Sequence, residues 1–391
     1  MAQHRMDTFL SSSDDSGQNS PQASSSPPFW AIAVTATVVV IALRIHLFLY
    51  GQRDNKSAEK ADLPKPSEIV SLRIYPIKSC RGIEIKSCKV LKTGLELDRN
   101  WMFVDADSKE FLTIRSDPSM TLIDTTLSSD GNKDSQDWTT LTIAVHGTDA
   151  RISIPCHPSG EWLTQNCTLQ DVSIWGDQTD GWKYSDEINN IFTQFFNKDV
   201  WLIYKGPTPR LANGNADESL YGKKEAHFFA DVMSLQVASQ ASMDDLNRRL
   251  KGKGQDGDLT VERFRPNIII KGNEPWEEDR WKRVQIVTAE NENANSDEEK
   301  KSGTPLDVLA RCARCQVPNV NPDTAAKHKH EPWDTLMKFR RVDTGGVAKY
   351  KPCFGMLCMP VQEGWVSVGS ELQVLETTEK HLYNTARFAE L

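Results

Sequence analysis

From Ile69 onward, apolar residues recur at short, strand-like spacing rather than at the period of a long helix. Val70, Leu72 and Ile74 alternate with polar or surface positions, which predicts a first strand. Residues 101–104 and 111–114 flank the turn Asp105-Ala-Asp-Ser-Lys109 and predict a hairpin. Leu141, Ile143 and Val145 alternate before His146-Gly-Thr-Asp149 turns the chain into Ile152 and Ile154. One helix follows, with Ser185 as its N-cap and Ile188, Ile191, Phe192 and Phe195 along one face. A strand over 200–204 closes the segment, so 67–205 reads as an all-β unit with one helix.

Residues 206–226 are polar, contain Gly and Asn, and read as a connector. A second unit starts near Phe228. Within it Ser242 is the expected cap of a helix carrying Met243, Leu246 and Leu250 on one side and stopped by Gly252. Strands are expected at 267–271, 283–287, 356–361 and 372–375, and a short helix at 335–339. The run 290–303 is a solvated acidic insertion, and 379–391 is a C-terminal tail. The fold class is therefore mainly β with some α (α+β), in two units over 67–205 and 206–378.

The N-terminus differs in kind. Residues 1–28 are Ser-rich, end in Pro27-Pro28, and are too polar to bury a core. Residues 29–50 are apolar apart from Arg44 and His46, and a bilayer core takes about 20 residues of helix. Arg44 lies near the end, where it can snorkel, and Trp30 and Tyr50 fall at interfacial positions. This predicts one transmembrane helix. A cleaved secretory signal fits less well, because no small-residue cleavage site follows and the preceding segment is long and acidic. Arg53, Lys56 and Lys60 follow the span while Asp14 and Asp15 precede it, which places 51–391 in the cytosol. Residues 51–66 read as a linker.

A net charge of -8 argues against a general nucleic-acid binder, since phosphate backbones require a basic face. A local basic pocket for one small anion remains compatible with it. The eight cysteines are scattered, unlike the framework of a small secreted scaffold, and read as mostly reduced.

Four local clusters carry candidate chemistry: Tyr75-Pro-Ile-Lys78-Ser79-Cys80-Arg81-Gly82; Leu97-Asp98-Arg99-Asn100-Trp101; Glu262-Arg-Phe264-Arg265-Pro266-Asn267; and Arg311-Cys312-Ala313-Arg314-Cys315 with Asn321-Pro-Asp323-Thr324 after it. Each has a bland reading: an exposed turn at Lys78-Ser79, a carboxylate partner for Arg265, buried thiols or half a zinc site at Cys312 and Cys315. A zinc site needs two further ligands, for which Cys353 and Cys358 are available. A thioredoxin-like reading lacks its βαβ context. Together the clusters suit a different combination. A thiolate is a soft ligand for a redox-active metal. Arg314, beside Cys315, favours that thiolate. Lys78, Ser79, Arg99 and Arg265 supply cationic and hydroxyl donors for a phosphate, and Asn267 supplies paired donors and acceptors for a flat heterocycle. No Gly-rich dinucleotide fingerprint is present.

The ordered series IYPIKSCRG, DRNW, QASMDDLNRRL, FRPNIII, RCARC with VNPDT, and finally FG and VGSELQVLE resembles the mitochondrial amidoxime reducing components, a branch of the MOSC-domain molybdenum proteins. The likeness covers roughly 67–378. It implies a MOSC N-terminal β-barrel-like domain at 67–205 and a MOSC β-barrel domain at 206–378, preceded by one transmembrane helix. It also implies a molybdenum cofactor (Mo-molybdopterin) with Cys315 as the protein ligand of molybdenum, and Cys315 and Arg314 as catalytic residues. Lys78, Ser79, Arg99, Arg265, Asn267, Ala313 and Arg314 map to cofactor contacts, with Asp231, Val232 and Met233 contributing largely through backbone. The implied activity is reduction of N-hydroxylated compounds (amidoximes, hydroxylamines and N-oxides). The likeness further implies electrons from cytochrome b5 and NADH-cytochrome b5 reductase, at the mitochondrial outer membrane. A non-catalytic carrier of the cofactor or of sulfur is the alternative. The chain departs from the pattern at Ala313, where relatives often carry Ser. It departs again at Asn321-Pro-Asp-Thr-Ala325, where they often carry Asp-Pro-Asp-Thr-Gly, and at the added charge of 327–330. These changes are expected to alter substrate range.

Overall fold

Strand Ser67–Ile74 pairs with three others, and that triple engagement organises the molecule. In the computed structural model the described residues are 63–129, 137–253, 258–288, 303–343 and 347–382, all within one packed unit, Leu63–Leu391. The expected tail at 1–28, the expected span at 29–50 and nearly all of the linker and acidic insertion lie outside them. Among the described residues no helix is long and apolar enough to cross a membrane.

An eight-stranded sheet runs in the order Ile268–Ile270, Leu235–Ser239, Cys353–Pro360, Thr304–Ala313, Trp281–Val287, Glu371–Thr377, Ser67–Ile74 and Ile83–Ile85. Ser67–Ile74 also pairs with Ile268–Ile270, so the sheet closes on itself into a barrel that leaves no free edge between those strands. The first strand of the chain is thereby a stave among strands that come much later. A register shift between Ile69 and Ser71 turns both Ile69 and Leu72 inward and leaves Val70 exposed. The bulge corrects the simple alternation expected from Val70, Leu72 and Ile74.

Two smaller sheets complete the first half. Trp101–Asp105, Val200–Lys205, Asp177–Tyr184 and Cys167–Ile174 form one, and the meander Ile123–Ser128, Thr140–Val145, Arg151–Pro155 forms the other. The expected hairpin after Trp101 is reduced to a single bridge, Val104 to Phe111. Helix Asp186–Phe196 begins after Ser185 as expected, with Phe192 buried against Phe103 at 4.8 Å between ring centres. A second helix, Gly160–Asn166, was not foreseen; Ser159 caps it by accepting from Trp162 N.

In the second half the helix is Gln240–Leu250, and its N-cap is Ser239, not Ser242. Ser242 lies a turn inside, fully buried, where its hydroxyl donates to Glu278 at 2.7 Å and accepts from Trp276 N. Strand Thr304–Ala313 was also missed. It is buried on both faces, so its sequence lacks the polar alternation that marks a half-exposed strand. Its last residue is Ala313, which brings the cysteine pair to the barrel's rim.

Candidate functional site: a cation-lined cavity

A cavity of about 220 Å³ opens where the barrel rim meets the loops of the first half. Its lining includes every site residue expected from the sequence: Lys78, Ser79 and Arg99, then Asp231, Val232 and Met233, then Arg265 and Asn267, then Ala313, Arg314 and Cys315.

Backbone and side-chain hydrogen bonds zip the loops together. Asp98 is buried and accepts from Tyr75 N at 2.8 Å; Arg99 N donates to Tyr75 O and Lys78 N to Trp101 O, each at 2.8 Å. Phe229 N reaches Arg99 O at 3.0 Å, tying in the segment that carries Asp231. Ser79, Arg99 and Arg265 all adopt left-handed backbone, with φ of 69°, 55° and 57°. For a residue with a Cβ this costs on the order of 1–2 kcal/mol. Such strain gathers at sites where side-chain direction matters more than local comfort.

The charges are unequally matched. Lys78 is buried, donates to Phe229 O at 3.0 Å and forms an ion pair with Asp231. Burial pushes its ammonium down to about 8, against the pull of Asp231. Desolvation pushes the Asp231 carboxyl up, although its side chain is exposed at the cavity wall, yet Lys78 and the Trp175 indole, 3.0 Å away, hold it well below the usual carboxylate range. Arg99 pairs with Asp98 and donates to Asn267 Oδ1 and Arg265 O, both at 3.2 Å. Arg311 pairs with Asp343 at 2.7 Å. Arg265, Arg314, Arg115 and Lys351 make no ion pair among the described residues, although the charge of Arg115 reaches the Asp231 carboxyl. Arg265 Nη1 donates to Cys80 O at 2.7 Å, while its Nη2 is buried without a hydrogen-bond partner. Both Arg99 and Arg265 sit over the ring of Tyr75, at 4.5 and 4.2 Å. Burial pushes the Tyr75 hydroxyl up to about 12.

Two expected roles change. Asn267 Oδ1 accepts from both Gln236 N and Arg99, and Nδ2 donates to Arg73 O. One N–H remains, so Asn267 chiefly braces Arg99 and Gln236. Arg314 is adjacent to Cys315 in sequence, but its guanidinium turns to Cys312 Sγ at 2.9 Å, Gln236 Oε1 at 3.1 Å and Phe264 O at 2.7 Å. Burial raises the Cys312 thiol's pKa while Arg314 counters it. Cys315 lies partly exposed in the cavity wall, and among the described residues its sulfur makes no hydrogen bond.

Cys353 and Cys358, offered above as zinc ligands, are buried, and burial drives both thiols up. Among the described residues no group of three or more His, Cys, Asp or Glu is placed to hold a metal ion, so the zinc reading lacks its ligand set. Lys327, His328, Lys329 and His330 do not line the cavity. The neighbouring loop does touch the first half: Arg81 donates to Pro322 O and to Asp323 at 2.9 Å. Ala325 in that loop has φ 55°, a left-handed position.

Arg115, Gln236 and Lys351 also line the cavity and were not foreseen. Gln236 is the junction of the site: besides its bonds to Asn267 and Arg314, its side chain donates to Phe354 O at 3.5 Å. A Cβ on Gly355 (φ 76°) would fall 2.8 Å from Gln236 Nε2, so the FG motif keeps this junction open. That pair was a signal in the sequence; Arg115 and Lys351 had none.

Residues 67–199 match the MOSC N-terminal beta barrel domain, and residues 224–373 match the MOSC domain. The chain is similar to mitochondrial amidoxime reducing component 2 of Bos taurus, 26% identical over 326 residues that cover 81% of this chain and 86% of that protein. It is equally similar to mitochondrial amidoxime-reducing component 1 of Homo sapiens, 26% identical over 324 residues, 80% and 84% of the two chains. The molybdenum cofactor sulfurase of Arabidopsis thaliana is 30% identical over 316 residues, which cover 77% of this chain but 34% of that longer protein.

Proposed function

This chain belongs to the MOSC-domain family, and on that premise we propose that its cavity holds a molybdenum cofactor and reduces N-hydroxylated compounds. The observation that carries the reading is the buried, unpartnered Nη2 of Arg265, in a cavity that also exposes the Cys315 sulfur. A buried donor left unmade costs free energy, and an anionic ligand recovers it. The donor set fits a phosphorylated metal–pterin: cationic forks and a hydroxyl for phosphate, and one soft sulfur for the metal.

When bound, the cofactor supplies the two-electron chemistry that breaks an N–O bond, while the protein contributes binding and orientation. Lys78 and Arg265 hold the anionic end, with Ser79 presented beside them by its left-handed turn. Arg99 fixes Asn267 and the Arg265 backbone. Cys315 is the ligand on the opposite segment, and Arg314 positions it indirectly by locking Cys312 and Gln236. Overall, a hydroxylamine-type substrate takes up two electrons and two protons to give the amine and water. Cytochrome b5 and NADH-cytochrome b5 reductase are the proposed electron donors, with residues 29–50 as a tether to the mitochondrial outer membrane.

The test is reduction of benzamidoxime by the purified chain with cytochrome b5, its reductase and NADH. Turnover in the wild type and its loss in Cys315→Ala support the reading; equal turnover in both contradicts the ligand assignment. A second reading, a carrier of the cofactor or of sulfur, is favoured by the likeness to the Arabidopsis protein named molybdenum cofactor sulfurase. Bound cofactor without turnover of any N-oxygenated compound would establish it.

A further inference from the structure

Two cations in the cavity are not used by the arrangement above. Strands Thr304–Ala313 and Cys353–Pro360 run antiparallel with Ala313 opposite Cys353, and Arg314 N donates to Pro352 O at 2.8 Å. Both strands end there, and just beyond their ends Cys315 and Lys351 line the same cavity. Arg115 reaches the same space from the first half. Its backbone is pinned by a turn in which Thr113 O accepts from Ser116 N and Asp117 N and Thr113 Oγ1 from Arg115 N. Its guanidinium stacks on Trp175 at 4.5 Å. Neither cation makes an ion pair among the described residues, although the Asp231 carboxyl lies near enough to feel the charge of Arg115; Arg115 is exposed and Lys351 partly buried. Two like charges that face one cavity repel one another, which an anion placed between them offsets.

We propose that Arg115 and Lys351 form a carboxylate-binding subsite beside Cys315, so that the preferred substrates are N-hydroxylated compounds that also carry a carboxylate. This rests on the reading of Cys315 as the metal ligand at the reacting centre. Arg265 and Lys78 hold the cofactor's anion elsewhere in the cavity, and the second cation pair orients the substrate. The selection operates through charge-assisted hydrogen bonds to a group remote from the N–O bond, and such contacts lower KM more than they raise kcat.

The test uses the full chain with its cofactor and compares benzamidoxime with benzamidoximes bearing a meta or para ring carboxylate. The subsite gives the carboxylates the higher kcat/KM. In Lys351→Met and in Arg115→Gln the carboxylate-to-neutral ratio falls about tenfold, through KM, and Lys351→Arg restores it. Calorimetric titration with benzoate gives a second readout: the wild type binds it, Lys351→Met binds it about tenfold more weakly, and benzamide shows no such difference. An unchanged ratio in both variants overturns the proposal. So does loss of molybdenum from Lys351→Met and Arg115→Gln, because the pair would then belong to the cofactor's grip. A wild type that binds benzoate in a Lys351-dependent way but reduces neither compound supports the subsite and sinks the N-reduction reading instead.

Discussion

The wall of the cavity that carries Cys315 is made of strands, while the wall that carries Lys78, Arg99 and Arg265 is made of loops. In the strand wall, Cys315 follows two residues after Thr304–Ala313, whose pairing with Cys353–Pro360 shifts register twice; Arg314 N donates to Pro352 O just past the ladder's end, and the only left-handed residue in either strand is Gly355. In the loop wall the cations are aimed by three left-handed residues and locked by the buried Asp98. The difference matches what each wall has to do. A metal ligand must sit at one point, and a residue tied to the end of a paired ladder has little freedom to move. A phosphate is large and multiply charged, so donors from several loops can share it, provided their strain is offset by mutual bonds.

That contrast predicts a separation of effects. The largest falls on Cys315→Ala, where molybdenum content and turnover drop to background while the folded state changes little, because the thiol is partly exposed and unbonded. Metal analysis alongside urea denaturation checks both halves, and a large loss of stability would mean that the sulfur is structural. Next comes Arg99→Met, expected to destabilise the protein by about 3 kcal/mol, since it leaves the buried Asp98 without its cation. Arg265→Met is the contrasting case. It strands no carboxylate, so denaturation should show a loss of only about 1 kcal/mol, from the bond to Cys80 O, while cofactor retention falls tenfold or more. If the two variants lost stability equally, the division between paired and unpaired cations would fail.

A smaller effect is carried by pH. Lys78 is charged below about pH 8 and neutral above it, because burial lowers it from an ordinary 10.5. Retention of an anionic cofactor should therefore weaken as pH rises through 8, and the inflection should vanish in Lys78→Met. Folding responds in the opposite sense: between roughly pH 8 and 10.5 the unfolded chain binds more protons at this site, so its contribution to stability rises with pH. The smallest expected change is Ala325→Gly, which relieves a left-handed alanine and should stabilise the fold by about 0.5–1 kcal/mol in chemical denaturation. No gain would show that the loop, gripped by Arg81, is indifferent to its own backbone strain.

The loop wall was the more legible of the two in sequence. Lys78-Ser79, Asp98-Arg99 and Arg265-Pro-Asn267 are compact motifs whose donors end up within a few residues of where they were written. The strand wall was harder to read because its logic is long-range. Thr304–Ala313 is buried on both faces and shows no alternation. Arg314 and Cys315 are neighbours in the chain, yet the guanidinium of Arg314 turns away to Cys312. Lys351 and Cys315 share the cavity only because two strands pair, and Arg115 joins them only from a loop of the first half. Elsewhere the misreadings were local and physical. A bulge displaced Val70, and Ser242 looked like a cap because its partners, Glu278 and Trp276, lie more than 30 positions away in the chain.

The most direct measurement is the molybdenum and pterin content of the purified wild-type chain set against that of Cys315→Ala. About one molybdenum and one pterin per wild-type chain, with the metal lost from the variant, is the predicted result. A folded wild type that carries neither, or a variant that keeps its molybdenum in full, would contradict the account.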